Sequence, residues 1–383
     1  MSEKRIVKVG SRKSELALKQ TNTVINKLKE HYPDVEFEVV TMATTGDKIL
    51  NAALSKIGEK SLFTRELENA LEDKSVDFVV HSLKDLPTNL PQNLVVGCVY
   101  KRDSPYDAVV MHPKHKGKTL QDLPDGSVIG TSSLRRQSQI ARKFPTFKFE
   151  NIRGNVNTRL KKLDDDNKYD ATILAVAGLD RMGWSHRIDQ VLTPDLCMYA
   201  VSQGAMGVEC RSDDKETLDM LSVIHDKQTV LQCVAERAFL KTLEGGCSVP
   251  VCVFTDIKDG QLSIDGGVFS IDGSKHKIVH VSKDLCPDEE PAKKVSRTEN
   301  GKTYASVVSN GVSKDEVQLS EDAGIELARL ILDSDAGHII AEAKEEIRLA
   351  IIEDNKKKME EAKNKNNEAK AENGSESKQQ EVS

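Results

Sequence analysis

The chain has 383 residues, 38% of them hydrophobic and 30% charged, with a formal net charge of −6. That length supports two or three domains with real cores, and the acidic balance argues against a general binder of nucleic acid or acidic membrane. Aromatic residues, at 4%, leave few rings for stacking single-stranded bases.

The N-terminus MSEKRIVKVGSRKS has no apolar signal core, and no apolar run approaches membrane-spanning length. Residues 5–9 read as a short strand ending at Gly10. A helix follows with Ala17, Thr21, Val24, Ile25 and Leu28 on one face, stopped before Pro33. VEFEVV alternates as a strand, FTRELENALED is helical and VDFVVHS returns as a strand, an order that marks a mainly parallel sheet. The pattern restarts after Arg102: DAVVM and SVIGTSS as strands, LRRQSQIARKF as a helix, FKFENI as a strand, NTRLKKLDD as a helix, ATILAVAG as a buried strand. CMYAVSQGAMGVECR then reads as a chain returning to the first sheet. From about Asp226 the texture changes to a helix, a GGCSVP break, the strands VCVFTD and QLSIDGGVFS, a polar irregular stretch over 272–314 and two closing helices over 321–332 and 338–352.

The expected fold is α/β: two doubly wound α/β domains linked by a double crossover, a clamshell like that of periplasmic binding proteins, plus a smaller α+β C-terminal domain. The expected boundaries are 1–102 with 202–225 for the first domain, 103–201 for the second and 226–352 for the third. The tail, 353–383, carries eight acids, seven lysines and no aromatic ring, so it cannot bury enough apolar area to offset its chain entropy and is expected to be disordered. The seven cysteines, Cys98, Cys197, Cys210, Cys233, Cys247, Cys252 and Cys286, are scattered, odd in number and form no CxxC pair. Neither a disulfide framework nor a zinc site is suggested, and a reducing compartment fits.

Two segments echo each other. GSRKS at 10–14 and GTSSLRR at 130–136 each run strand, glycine, hydroxyls, cations, helix. A helix N-terminus favours anions, and arginine adds a bidentate fork for carboxylate or phosphate; the same residues would also make an ordinary capped helix. Residues 131–162 hold nine Lys or Arg against Glu150 alone, and Arg135, Arg136, Arg153 and Arg159 fall near predicted strand ends, where doubly wound sheets place ligands. In HSLKDLPT, Asp85 beside Lys84 is either a turn residue before Pro87 or a working carboxylate. His81 reads as a packed strand-end residue, since no second His or Cys lies at metal spacing. In LEGGCSVP, Cys247 is either a small buried hydrophobe or a thiol with the backbone cleared of bulk beside it.

Taken together, GSRKSELA, HSLKDLPT, GTSSLRRQSQI, NIRGNVNTRL, AVAGLDRMGW, SQGAMGVECR and ERAFLKTLEGGCSVPV resemble, in order, the hydroxymethylbilane synthases. The resemblance implies an enzyme that condenses four porphobilinogen molecules head to tail, releasing ammonia each time, on a dipyrromethane cofactor joined to the protein by a thioether. By motif, the resemblance implies that Cys247 is the attachment cysteine and Asp85 the catalytic aspartate. Cofactor contacts fall on Ser82, Lys84, Thr131, Ser132, Ser133, Arg135, Arg136 and Gln203, and substrate contacts on Arg12, Ser14, Arg153 and Arg159. A cytoplasmic monomer is expected, without metal, nucleic-acid or membrane partner. Each pyrrole brings an acetate and a propionate, so the growing chain gains negative charge that arginines can neutralise without ever deprotonating. The rival reading is a non-catalytic two-domain protein that binds a small anion.

The tail's composition generates the first prediction. Truncation after Glu353 leaves turnover and melting temperature unchanged, as measured by activity assay and thermal unfolding; a clear fall in either would mean that the tail docks on the body.

Overall fold

The computed structural model of the protein describes residues 5–48, 63–243, 249–285 and 302–353, with Lys356. The chain begins β1 (Ile6–Arg12), α1 (Glu15–His31), β2 (Glu36–Met42), α2 (Thr45–Lys48), α3 (Arg65–Glu72), β3 (Phe78–Ser82) and β4 (Leu94–Tyr100). It continues with β5 (Asp107–Met111), β6 (Val128–Gly130), α4 (Leu134–Lys143), β7 (Lys148–Glu150), α5 (Val156–Asp165), β8 (Ala171–Ala175), α6 (Val176–Met182) and β9 (Gln190–Leu192). Then come β10 (Met206–Arg211), α7 (Lys215–Ser222), α8 (Lys227–Thr242), β11 (Val251–Lys258), β12 (Gln261–Phe269) and β13 (His276–Asp284). Last are β14 (Thr303–Tyr304), β15 (Val307–Val308) and α9 (Lys314–Leu332), followed by helix over 336–353.

Three sheets result, with strand orders β14-β15-β4-β10-β3-β1-β2, β7-β6-β8-β5-β9 and β11-β12-β13. The first two share a plan. In each, three parallel strands (β2, β1, β3 and β7, β6, β8) meet an antiparallel fourth, β10 or β5. Because β10 follows the second sheet in sequence but joins the first, the chain crosses between the two bodies twice. This is the double crossover of a clamshell, and the antiparallel β11–β13 meander with α8 and α9 forms the third, α+β body. Among the described residues no helix is long and apolar enough to cross a membrane.

Local sequence explains the elements. On α1, Ala17, Thr21, Val24, Ile25 and Leu28 are all buried, joined by Gln20, as a 3.6-residue period requires. Three differences from the sequence reading stand out. ATILAVAG divides, ATILA forming β8 and the rest opening α6, which Gly183 ends at φ 77°; a buried strand and a buried helix turn share one apolar signature. The stretch 272–314 is not irregular where it is described. β13 pairs residue for residue with β12, and the β14–β15 hairpin adds to β4 on the edge of the first sheet. That hairpin has only two residues per strand, so its shape comes from pairing rather than propensity. β4, β9 and α7 had no reading from sequence.

The bodies are tied by buried charge. Asp107, at the head of β5, is fully buried, with Oδ2 2.8 Å from Arg135 Nη1 and Oδ1 2.7 Å from Arg136 Nη2. Gln203 Nε2, in the second crossover, donates to Oδ1 at 2.9 Å, and Lys84 Nζ donates to Gln203 Oε1 at 3.4 Å, so the node joins β5, α4, a crossover and the end of β3. Burial opposes the charged carboxylate, but the two guanidiniums outweigh it and hold Asp107 well below the usual carboxylate range. A second node joins the crossovers to α8. Arg102 grips Glu236 at 2.7 and 3.1 Å and donates from Nε to Gln203 O at 2.8 Å, while Ser202 N–H donates to Glu236 at 2.6 Å. The crossovers touch at Gly204, φ 89°, where a Cβ would lie 2.6 Å from the Asp103 carbonyl oxygen.

The Asp107 node generates the second prediction. Asp107→Asn leaves two buried guanidiniums facing a neutral amide and costs on the order of 3–5 kcal/mol, read as a lower denaturation midpoint at neutral pH. With the native pKa below its unfolded value, the carboxylate's contribution is complete above about pH 4 and declines as pH falls. The gap between variant and wild type therefore narrows in acid; a gap unchanged from pH 7 to pH 3 would show that the ionic pairing contributes nothing.

Candidate functional site

Between the two α/β bodies lies a cleft of about 650 Å³. Strand ends and helix starts supply its walls. Arg12 closes β1, and Ser14 caps α1 by accepting from Ala17 N–H at 3.4 Å. Ser82 ends β3 and accepts from Gln20 Nε2 at 2.9 Å, after which Lys84 and Asp85 sit on a single 3₁₀ turn, Leu83–Asp85. Across the cleft Ser132 donates to Ile152 O at 3.1 Å, and Ser133 caps α4 by accepting from Arg136 N–H at 3.5 Å. Arg153 follows β7, and Arg159 on α5 donates from Nε to Gly154 O at 2.8 Å. These residues line one space with Arg135, Arg136 and Gln203.

The two echoing segments thus serve both readings at once. Ser14 and Ser133 are ordinary N-caps, and the turns they close face each other across the cleft. Thr131 differs from the rest. It is buried beneath the wall, where its Oγ1 accepts from Ser133 N–H at 3.2 Å and shapes the turn. Cys247 lies outside the described residues, but Leu240 before it and Val249 after it both line the cleft.

Electrostatically the cleft is strongly positive. Arg12, Lys84, Arg135, Arg136, Arg153, Arg159 and Arg181 line it, against Glu15 and Asp85. Glu15 has Lys19 at 3.6 Å. Asp85 is exposed, and its carboxylate makes no hydrogen bond or ion pair with any described residue. Arg159 is pushed down to about 10, first by burial and then by the repulsion of Arg136 and Arg153, with Asp85 opposing. Lys84 keeps part of its surface open to the cleft, yet the protein around its ammonium lowers it to about 8, against the pull of Asp85. Crowded cations of this kind call for anions.

Two nitrogens on the wall sharpen the point. Arg136 Nε and Arg153 Nη1 are buried with no hydrogen-bond partner among the described residues, and an unpaired buried donor is costly. Carboxylates of a bound ligand would satisfy them, so a polycarboxylate such as dipyrromethane fits the site. Arg135 and Arg136 are also more committed than the sequence suggested, because each already gives Nη1 to a carbonyl, Met198 O at 2.6 Å and Ile173 O at 2.7 Å, as well as serving Asp107. Asp107 itself went unread as a site residue. The signal was there: an acid opening the apolar strand DAVVM must be paired if that strand is buried. Arg181, held by Asp103 at 2.8 Å and by Gly204 O, was also missed, sitting in a helix whose first three residues were read as strand.

The chain matches known proteins over most of its length. Residues 7–219 match the family model described as porphobilinogen deaminase, dipyromethane cofactor binding domain, and residues 230–300 match the porphobilinogen deaminase C-terminal domain. A porphobilinogen deaminase of Gloeobacter violaceus is 52% identical over 271 residues, 70% of this chain and 82% of that protein. One from Synechococcus elongatus is 52% identical over 274 residues, 72% of this chain and 85% of its own. With its α/β cleft matched as the cofactor-binding domain and half of the aligned residues shared with such relatives, the chain belongs to the porphobilinogen deaminase family.

Proposed function

We propose that this cleft joins four porphobilinogen units head to tail into linear hydroxymethylbilane, releasing ammonia at each addition, with the cofactor held on Cys247. One observation carries the reading: seven cations surround a cleft in which Asp85 is a carboxylate with no partner of its own among the described residues. The dipyrromethane cofactor, when bound, supplies the pyrrole end from which the chain grows.

The protein's residues divide the remaining work. Lys84, Arg135, Arg136, Ser82, Ser132, Ser133 and Gln203 would hold the cofactor's carboxylates and pyrrole N–H groups, with Thr131 acting through the turn it shapes. Arg12, Ser14, Arg153 and Arg159 would take the acetate and propionate of each incoming porphobilinogen, in forks that an ammonium cannot reproduce. As ammonia leaves, positive charge develops on the substrate's pyrrole nitrogen, and the carboxylate of Asp85 stabilises that charge where it forms. The same carboxylate oxygens can carry a proton between steps. A thiol at Cys247 suits attachment, since sulfur is soft and nucleophilic as thiolate. The same reading has the enzyme act as a monomer in the cytosol with no nucleic-acid partner; the net charge of −6 supports the last of these.

The rival, a non-catalytic anion-binding clamshell, shares the cleft but needs no covalent group. Peptide mapping of the purified protein is expected to show Cys247 heavier by two deaminated pyrrole units. An unmodified Cys247 in active protein would overturn the attachment, and an unmodified, inactive protein would favour the rival.

Asp85 is tested by charge. Asp85→Asn keeps size and loses charge, and is expected to lower turnover by about 10²–10³ with thermal stability little changed, since no described residue leans on this carboxylate. Asp85→Glu keeps the charge and should retain more activity. If Asp85 served only the turn, Asn would be tolerated and Glu would not.

A further inference from the structure

Arg237, on α8, is 1% exposed, among the most deeply buried cations in the chain. No carboxylate among the described residues pairs with it. Its hydrogen bonds all go to backbone carbonyls: Nη1 to Leu86 O at 3.3 Å, Nη2 to Pro87 O at 2.6 Å and Nε to Ala305 O at 3.0 Å. Burial presses its pKa down to about 10, opposed through space by Cys233 and Glu209. An unpaired buried guanidinium is expensive, so its placement calls for a reason.

The reason lies in what those carbonyls belong to. Leu86 and Pro87 directly follow Asp85. The front of the Leu83–Asp85 turn is fixed by β3, while its back is an extended segment, Leu86 at φ −79° and ψ 133°, whose Pro87 has no N–H to anchor it. From the other side, Ser306 Oγ donates to Thr88 O at 3.0 Å. Ser306 and Ala305 both stand in the left-handed region, φ 69° and 46°, at the tip of the β14–β15 hairpin, where Ala305 N–H donates to Glu321 at 3.0 Å. Helix α8 of the third body and the hairpin on the edge of the first sheet therefore grip the chain just past Asp85, one with an arginine and the other with Ser306. Five residues beyond Arg237, roughly 7.5 Å of helix rise, α8 ends at Thr242 and leads towards the segment that contains Cys247.

We infer that Arg237 is a positioning residue for the reaction, holding the Asp85 turn in register with the helix that leads to Cys247. The inference rests on the reading of Asp85 and Cys247 given above. Arg237 does not line the cleft; it sets where the carboxylate of Asp85 sits relative to α8.

The test compares Arg237→Lys, Arg237→Met and Ser306→Ala with Leu327→Ala, a cavity variant of the same core that leaves the grip intact. All are measured as cofactor-loaded protein below their melting temperatures. Arg237→Met is expected to lower kcat by roughly ten- to a hundredfold, the scale of a misplacement near 1 Å, with KM and the cofactor mass on Cys247 changed far less. Arg237→Lys, able to serve one carbonyl, should fall between it and wild type. Hydrogen exchange over residues 83–90 should speed up in both, and to a smaller extent in Ser306→Ala, which spares the core if the arginine variants fail to fold. Leu327→Ala should keep its turnover per folded molecule. Normal exchange over 83–90 in every folded grip variant, or fast exchange with full turnover, overturns the proposal. Full activity in Asp85→Asn would instead overturn the reading beneath it, and the exchange data would still decide whether the grip exists.

Discussion

Everything in the cleft depends on one buried acid. Asp107 has to be ionised to be worth burying, and ionised it needs two guanidiniums within 2.8 Å. That requirement fixes the first turn of α4 against the head of β5 and, through Gln203, draws in the second crossover and Lys84. The arginines could not otherwise stand side by side at the mouth of a helix in low dielectric. Their mutual repulsion is offset by the carboxylate they share.

The surplus of positive charge above that node matches the chemistry of a polymer that gains two carboxylates per unit. Each cation on the wall has a different hold. Arg159 is tied to Gly154 O and depressed by its neighbours, Lys84 is depressed by the protein around it, and Arg136 and Arg153 each keep one buried nitrogen with no partner among the described residues. Such a wall is under electrostatic stress until anions arrive, so binding energy is available for placing substrate. Asp85 is set apart from this crowd on its own 3₁₀ turn, open to the cleft. Its carboxylate is spent on no salt bridge with any described residue.

The third body works at a distance. Glu236 and Arg237, adjacent on α8, point to different tasks: one closes the crossovers through Arg102 and Ser202, the other grips the chain after Asp85. That helix is buried over most of its middle, with one residue bonded to the crossovers and the next to the chain after Asp85.

Sequence alone determined many of the local elements and singled out most of the candidate site residues. Periodicity located α1 face by face, turn glycines and N-cap serines marked both anion-facing turns, and the collinear motifs named the family. Those signals are short-range or are carried whole in the motif, so no packing is needed to read them. What only the tertiary structure decided is pairing. Asp107 looked like the start of a strand because its partners lie 28, 29 and 96 residues away. Arg237 looked like one more helix cation because the carbonyls it serves are 68 to 151 residues distant. The β14–β15 hairpin had too few residues to announce itself and exists because β4 offers an open edge. Burial, and the partner that burial demands, are properties of the assembled chain, so the residues that hold the site in place stayed hidden where most of the cations that line it did not.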